Sequence, residues 1–224
     1  MPSGLVGKGF FEITKLTAPL FLKGAQMTLS LTCISIVLGI CIGLSIALLK
    51  MSKKSTLRNV GSIYTWFFRG TPLLVQIWLV YFGLGQFGIN LSGFISGSIA
   101  LSLNSGAYMA EIIRAAIESI PKGQMEAAKS LGMTYSLAMR RVILPQSVRR
   151  MVPPMVNEFV SLLKDSSLIA TIGIVELLLT ARLLTSSTFM PFTFYFLVAV
   201  FYLALTTIFT TLGSTIERWM ASLE

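Results

Sequence analysis

Residues that could handle a small charged molecule are concentrated in one stretch of an otherwise apolar chain. Glu158, Lys164 and Asp165 lie within or at the end of a mainly apolar segment at positions 151–168. Charged groups inside a membrane are costly unless they face water or a partner, so such residues are functional candidates. On a helix, Glu158, Ser161 and Asp165 occupy positions i, i+3 and i+7 and share one face. These residue types predict a polar cavity lined by this segment.

Other polar side chains could line the same cavity. Asn157, Ser161 and Lys164 form a neighbouring stripe at i, i+4 and i+7. The run Asp165-Ser166-Ser167 is typical of a helix N-cap, and the free N–H groups of a short helix starting near Leu168 would attract an anion. The alternative is that Lys164 and Asp165 only pair with each other or cap helices. The candidate cavity residues are Asn104, Ser105, Tyr108, Asn157, Glu158, Ser161, Leu162, Lys164, Asp165 and Ser166.

The composition excludes several chemistries. The chain has no histidine, which removes His-based proton relays and His-ligated metals. Its two cysteines, Cys33 and Cys41, would lie about 12 Å apart on one helix, too far for a disulfide. No phosphate loop of the form G-x-x-x-x-G-K-[ST] occurs, so any ATP must be bound by another chain. We therefore expect a chain that is not an enzyme and holds no metal or other cofactor.

The elements that must position these residues are membrane-spanning helices. The chain has 224 residues, of which 54% are hydrophobic and 12% charged, whereas soluble domains average about 25% charged residues. A span needs about 20 apolar residues, and charge-free runs cover positions 24–49, 70–110 and 183–216. The net charge of +9 fits lipid and topology better than nucleic acid, because the basic residues punctuate apolar runs. The sequence predicts an all-α integral membrane protein.

The charge pattern predicts five transmembrane helices and their orientation. Four spans lie near positions 25–49, 60–82, 91–113 and 190–213, and the interrupted segment 151–184 supplies the remaining one. Of the 18 basic residues, 11 fall at positions 50–58 and 114–150, which marks both stretches as cytoplasmic. We therefore expect the N-terminus outside and the C-terminus in the cytoplasm.

The two ends of the chain are interpreted separately from the spans. Residues 1–24 carry Lys8, Lys15 and Lys23 on the expected outer side, and we interpret them as an amphipathic segment lying along the membrane surface. Residues 25–217 form the membrane domain, and residues 218–224 form a cytoplasmic tail.

A short pattern in the second cytoplasmic stretch points to a family. Pro121 can open a helix there, and Gly132 lets the chain leave it by a left-handed turn; a second short helix should follow, limited by Pro145. The residues read Glu126-Ala127-Ala128, three residues, Gly132, nine residues, and then Val142-Ile-Leu-Pro145. This resembles the signature E-A-A, three residues, G, nine residues, I-x-L-P of permease subunits of ATP-binding-cassette (ABC) importers. Val142 is a conservative departure.

Two further stretches resemble the polar amino-acid subfamily, whose members carry histidine, glutamate, glutamine, arginine or opines. They are positions 68–76, F-R-G-T-P-L-L-V-Q, and positions 157–168, N-E-F-V-S-L-L-K-D-S-S-L. The resemblance implies a type I importer permease of MetI-like fold with cytoplasmic coupling helices, at about positions 122–140. The coupling residues would be Glu126, Ala127, Ala128, Ser130, Leu131 and Gly132. Independently of the resemblance, Pro72 is expected to break or kink the second span, and a gating or structural role falls to Arg69, Pro72 and Pro145.

The resemblance also implies an assembly in a bacterial cytoplasmic membrane. Two permease copies, identical or different, would form the path, two ATPase subunits would hold ATP and Mg²⁺, and an external binding protein would deliver a polar amino acid. The excess of acid over base near Glu158 is a weak hint of a basic substrate. The alternative function is an ion-coupled secondary transporter or channel, which predicts coupling residues spread over several spans. The sequence leaves open which amino acid is carried and which cavity residues touch it.

Overall fold

The computed structural model of the chain describes residues 9–221, and within that range every regular element is helical. The α-helices are α1 (Phe10–Lys50), α2 (Ser55–Gly70), α3 (Leu73–Trp78), α4 (Leu84–Gln86), α5 (Gly93–Glu118), α6 (Lys122–Ser130), α7 (Tyr135–Ala138), α8 (Leu144–Asp165), α9 (Leu177–Thr188) and α10 (Pro191–Ala221). A π turn at Leu79–Gly83 joins α3 to α4, another at Met139–Ile143 joins α7 to α8, and the 3₁₀ segment Ser166–Ile172 extends α8.

Helices α1 and α5 pack closely against each other, because small residues line their contact. A Cβ atom added at Gly39 would lie 3.1 Å from the Ser105 side chain, and one added at Gly43 would lie 2.5 Å from Cβ of Met109. Small residues let helix backbones approach closely in membranes, where packing rather than the hydrophobic effect drives association. This pair supports the candidate residues that α5 carries.

Hydropathy and helix length identify fewer spans than the charge pattern predicts. Within the described range, α1 and α10 are long and apolar enough to cross a membrane, and counting two bent helix pairs as one span each raises the number to four. Helix α5 has 26 residues but carries Ser102, Asn104 and Ser105 on its buried faces, which lowers its hydropathy. The chain is an all-helical membrane protein, and the five-span count stays a prediction.

The N-terminal segment is part of the first helix and not a separate surface element. Helix α1 runs without interruption from Phe10 to Lys50, so the boundary that the charges suggested near residue 24 does not end a helix. Ile13 and Phe21 are buried in one apolar cluster with Leu177 of α9 and Phe194 of α10. Because these side chains pack against the body of the protein, residues 10–24 are not a separate element, and their position along the membrane surface stays a prediction. Lys8 lies outside the described residues.

The interruption of the fourth segment lies further along the chain than the sequence predicts. Helix α8 continues past Asp165 into the 3₁₀ segment, and Asp165 makes no side-chain cap. The chain turns instead at Gly173, whose φ of +85° favours glycine, and α9 starts at Leu177 with Glu176 as its N-cap. The predicted half-helix beginning near Leu168 is therefore wrong. The two parts meet at a bend of 48°.

Candidate functional site

Helix α8 carries the predicted polar face. Asn157, Ser161, Lys164 and Asp165 are exposed along it, and Glu158 is half-buried. No ion pair within 4 Å joins Lys164 to Asp165 among the residues that the structure describes, although their charges are close enough to interact. Lys164 and Asp165 therefore do not form the direct ion pair of the simpler alternative. The exposed face of α8 is therefore available to a partner or to a solute.

Helix α5 carries two further candidate residues. The Ser105 hydroxyl is fully buried and has no hydrogen-bond partner among the residues that the structure describes. Tyr108, one turn further along α5, is 37% exposed and lies against the guanidinium of Arg69. That these two residues line one cavity with the polar face of α8 stays a prediction.

Two candidate residues of this segment lie in the interior of the chain. Leu162 is 2% exposed and belongs to an apolar cluster that includes Leu101 and Ile169. The Ser166 hydroxyl, also buried, donates a hydrogen bond of 2.7 Å to the carbonyl of Leu163. Contact of either residue with a solute stays a prediction.

Asn104 is engaged at the break between α2 and α3. Its Nδ2 atom donates hydrogen bonds of 3.0 Å to the Phe68 carbonyl and to Oε1 of Gln76. Gln76, only 3% exposed, in turn donates to the Phe68 carbonyl and to both oxygens of Thr71. Helix α2 and the segment Leu73–Gln86 meet here at a bend of 104°. The two amides therefore give hydrogen-bond partners to carbonyl groups that the break leaves without a helical donor. Sequence reasoning placed the break at Pro72 correctly and missed Gln76.

A cluster of charged residues joins α1, α2 and α5. Glu111 of α5 binds Lys50 of α1 and Arg114, whose Nη2 lies 2.8 Å from its Oε2. The guanidinium of Arg69 in α2 lies 3.9 Å from Glu111 and also over the ring of Tyr108, 5.2 Å from its centre. Lys50 further donates to the Thr65 hydroxyl at 2.8 Å. Three cations thus surround one carboxylate, an arrangement that the linear sequence does not reveal.

An open groove continues from this cluster between α5 and α8. Its volume is about 430 Å³. On the α8 side the groove includes Arg150, which donates a hydrogen bond of 2.7 Å to the Ser119 carbonyl. The lining residues are Glu111, Ile112, Ala115, Ala116, Ser119, Arg150 and Pro154, and we call it the inner groove.

Glu176 is a buried acid that sequence reasoning passed over. Its carboxylate accepts hydrogen bonds from the backbone N–H groups of Leu178 at 2.8 Å and Leu179 at 2.7 Å. The Tyr202 hydroxyl of α10 donates a third hydrogen bond at 2.8 Å. Glu176 therefore links the first turn of α9 to α10, next to the turn at Gly173. The sequence signal was weak, since glutamate is not among the residues that favour the N-cap position.

The short helix α6 stands apart from the long helices and carries the E-A-A residues. Ala128 is buried, whereas Glu126 and Ala127 are exposed. The chain leaves α6 through Gly132 with φ of +80°, and the N–H groups of Gly132 and Met133 bond to the carbonyls of Lys129 and Ala128. This end matches the left-handed turn expected of Gly132. Leu131 beside it is 80% exposed, and Ser130 bonds only to the Glu126 carbonyl among the described residues.

The second short helix does not stop at Pro145. Helix α7 runs through the π turn Met139–Ile143 directly into α8, and Pro145 lies in the first turn of α8. The expectation that Pro145 ends a helix is therefore wrong, and α7 is rigidly continuous with the helix that carries Glu158.

Comparison with known proteins decides the family. A family model described as "Binding-protein-dependent transport system inner membrane component" matches residues 39–222. The chain belongs to this family. The permease is 42% identical over 200 residues, 89% of its length and 88% of the relative's, to the probable amino-acid ABC transporter permease protein YckA of Bacillus subtilis.

Other relatives differ in the amino acid that their names mention. The permease is 40% identical to the probable glutamine ABC transporter permease protein GlnM of Bacillus subtilis, covering 84% of this chain and 87% of the relative. It is 36% identical to the arginine transport system permease protein ArtQ of the same organism, covering 95% of this chain and 97% of the relative. These likenesses make the permease a membrane component of an amino-acid ABC transporter.

Solved structures agree with the helical arrangement. The structure of an amino acid ABC transporter with histidines superposes with a TM-score of 0.90 at 45% identity, covering 95% of the permease and 99% of the other chain. The MetNI methionine ABC transporter in an inward-facing form gives a TM-score of 0.77 at 21% identity, covering 91% of the permease and 97% of the other chain. The permease therefore has the MetI-like fold. Its family consists of transport components, in agreement with the expectation that the chain is not an enzyme.

Proposed function

We propose that the permease forms the translocation path for a polar, basic amino acid and that a separate ATPase subunit drives the transport. The observation that carries this proposal is the exposed helix α6, which presents Glu126, Ala127 and Leu131 and ends in the turn at Gly132. An exposed leucine beside a slim, alanine-rich helix suits insertion into a cleft of another protein. ATP and Mg²⁺ would be bound by that ATPase, with no cofactor in the permease.

The helical geometry supports transmission of movement from α6 to the polar face. Ala128 of α6 and Ala138 of α7 are buried, and Gln146 of α8 donates to Gln124 of α6 at 3.4 Å. Because α7 continues into α8, displacement of α6 by the ATPase would move the helix that bears Glu158 and Asp165. Hydrolysis would in this way alter access to the path.

The charge distribution supports the orientation and the substrate class. The concentration of basic residues at positions 50–58 and 114–150 supports a cytoplasmic position of α6 and an N-terminus outside. Glu158 and Asp165 would bind the α-ammonium group and a basic side chain. A second permease copy would cover the exposed face of α8, and an external binding protein would deliver the substrate.

The test is ATPase stimulation of the reconstituted complex. The permease would be co-expressed with its ATPase and assembled in nanodiscs, and hydrolysis would be measured with the cognate binding protein and a panel of amino acids. We expect arginine, lysine or histidine to stimulate hydrolysis more than leucine or aspartate. Equal rates with every amino acid, or an ATPase that never co-purifies with the permease, would contradict the proposal.

A further inference from the structure

A second groove runs between α1, α8 and α10, and we call it the apolar groove. Its volume is about 410 Å³, and all of its lining residues are apolar. Its floor is buried, since Met109 is 0% and Ile36 8% exposed, whereas Leu212 and Ile216 on its rim are 53% and 49% exposed. The apolar groove therefore opens to the surroundings of the chain.

The apolar groove has a deep end and an open end. At the deep end the rings of Phe159 in α8 and Phe209 in α10 contact each other, with 4.7 Å between their centres. The open end lies at Val152 of α8 and Ile216 of α10, toward the expected cytoplasmic side. Trp219, one turn beyond Ile216, is 63% exposed, and tryptophan is enriched at the level of the lipid headgroups. The groove thus runs from the headgroups toward the middle of the bilayer.

The length and lining of the apolar groove suit one lipid tail. Along α8 it extends from Val152 to Phe159, which is about 10 Å of helix, and the hydrocarbon of one leaflet is about 15 Å deep. Water is not stable in a groove without polar partners. An unfilled groove would also deprive its lining of van der Waals contacts. An apolar chain is therefore the expected occupant.

The apolar groove lies on the side of α8 opposite to the polar face. Val152, Val156 and Phe159 share one face of α8 at i, i+4 and i+7. Ser161, in the middle of the polar face, is two residues from Phe159 and nine from Val152, which places it across the helix at 3.6 residues per turn. A second permease copy that covers the polar face therefore leaves the apolar groove to the lipid.

The chain beside the open end is strongly basic. Positions 140–150 carry four arginines and no acid, and Arg149 lies one helical turn before Val152. On α10 the charges of Glu217 and Arg218 balance each other, so the excess comes from α8. Basic residues at the cytoplasmic face of a membrane attract anionic lipids. A headgroup whose tail enters the apolar groove would meet this positive charge.

We propose that the apolar groove binds one acyl chain of an anionic phospholipid of the cytoplasmic leaflet, with the headgroup beside Arg149. This inference rests on the proposed function for the orientation in the membrane and for the second copy on the polar face. Moving a tail from bilayer to groove gains no hydrophobic free energy, so van der Waals packing holds the tail. The positive charge selects the headgroup.

The test is lipid binding measured by native mass spectrometry. The permease, with any ATPase subunits that co-purify, would be washed in mild detergent and titrated with phosphatidylglycerol or phosphatidylcholine. We expect one phosphatidylglycerol per permease chain to bind at least about fivefold more tightly than phosphatidylcholine, the effect of one basic residue at a membrane surface. Arg149→Gln should bring this ratio close to one. Arg182→Gln, which removes a charge from an exposed position of α9, should keep it.

A second pair of variants tests the site of the tail. Cys33 lines the apolar groove, whereas Cys41, also exposed on α1, lies outside it. Cys33→Phe should fill the groove and weaken phosphatidylglycerol binding about tenfold, the equivalent of about ten lost van der Waals contacts. Cys41→Phe adds the same ring elsewhere on α1 and should leave the binding unchanged.

The inference is overturned if phosphatidylcholine binds as tightly as phosphatidylglycerol, if Arg149→Gln keeps the preference, or if Cys33→Phe binds phosphatidylglycerol like the wild type. It is also overturned if Cys33→Phe separates two permease copies in the same spectra, because a second copy would then occupy the groove. A complex that binds phosphatidylglycerol as expected but is stimulated by no amino acid would contradict the proposed function alone.

Discussion

Gln76 and Asn104 supply hydrogen bonds to the backbone at the break in the second membrane segment. A backbone that leaves its helix inside a membrane needs polar partners, and these two side chains reach the Phe68 carbonyl at 2.9 and 3.0 Å. Pro72 made the break predictable from the sequence. The partners were not predictable, because Asn104 lies 36 residues from Phe68 and only the fold brings them together.

Replacement of Gln76 tests this structural role. Gln76→Leu removes the two N–H donors that the Phe68 carbonyl and the Thr71 oxygens share, and it leaves Asn104 with one partner fewer. We therefore expect the folded state to lose about 1–2 kcal/mol. A lower midpoint of thermal unfolding in detergent would report the loss. Gln86→Leu is the matched control, since Gln86 is exposed, and its midpoint should not change. Equal midpoints for both variants would refute the role.

Replacement of Glu158 tests the polar face itself. Glu158→Gln keeps the size of the side chain and removes its charge, so a cationic substrate should bind less tightly and a higher concentration should be needed for half-maximal ATPase stimulation. The shift should reach about tenfold, the effect of losing one charge-assisted hydrogen bond. Glu118→Gln serves as control, because Glu118 is exposed and paired with Arg114. Unaltered stimulation by every amino acid would remove Glu158 from the path.

At the scale of elements, the chain combines long helices with two interruptions, one at Pro72 and one at Gly173. The helical nature of every described element, the short cytoplasmic helix and the break at Pro72 follow from local sequence signals. The second interruption does not, because Asp165-Ser166-Ser167 resembles an N-cap while Leu162 and Ile169 are packed in one core cluster that favours continued helix. Tertiary packing therefore moves the break eight residues further, to Gly173.

Glu176 and Tyr202 should act together in holding this interruption. Removal of a helix cap costs about 0.5–2 kcal/mol, and Glu176→Ala also leaves the buried Tyr202 hydroxyl without its acceptor. We expect Tyr202→Phe to destabilise the permease less than Glu176→Ala, and the double variant to be no less stable than Glu176→Ala alone. Thermal unfolding of the three variants measures this coupling. Strictly additive losses would show that the two side chains do not cooperate.

Helix α6 should be sensitive to substitution at one end and tolerant at the other. Gly132→Asp places a residue with a side chain at a backbone position with φ of +80°, which favours glycine, and it adds a charge beside the exposed Leu131. We expect the variant to insert normally and to hydrolyse ATP without transport. Gly123→Asp is the control, since Gly123 lies in α6 with open space around it and no positive φ. Transport by Gly132→Asp at the rate of Gly123→Asp would reject α6 as the coupling helix.

For the whole molecule, composition was the strongest guide. The +9 charge and 54% hydrophobic residues led directly to a helical membrane protein, and the cytoplasmic E-A-A pattern led to the family. The charged cluster could not be predicted from the sequence, because it joins Lys50, Arg69 and Glu111 from three separate helices. On the exposed face of α8, Asn157, Ser161 and Asp165 require a second subunit or water around them in a membrane.

The most direct test of the account is uptake of a radiolabelled basic amino acid into proteoliposomes that contain the permease, its ATPase and the binding protein. Transport should require ATP, should be prevented by Gly132→Asp, and should continue with Gly123→Asp while both variants hydrolyse ATP. Accumulation without ATP, driven by an ion gradient, would contradict an ATP-driven import path and favour a secondary transporter.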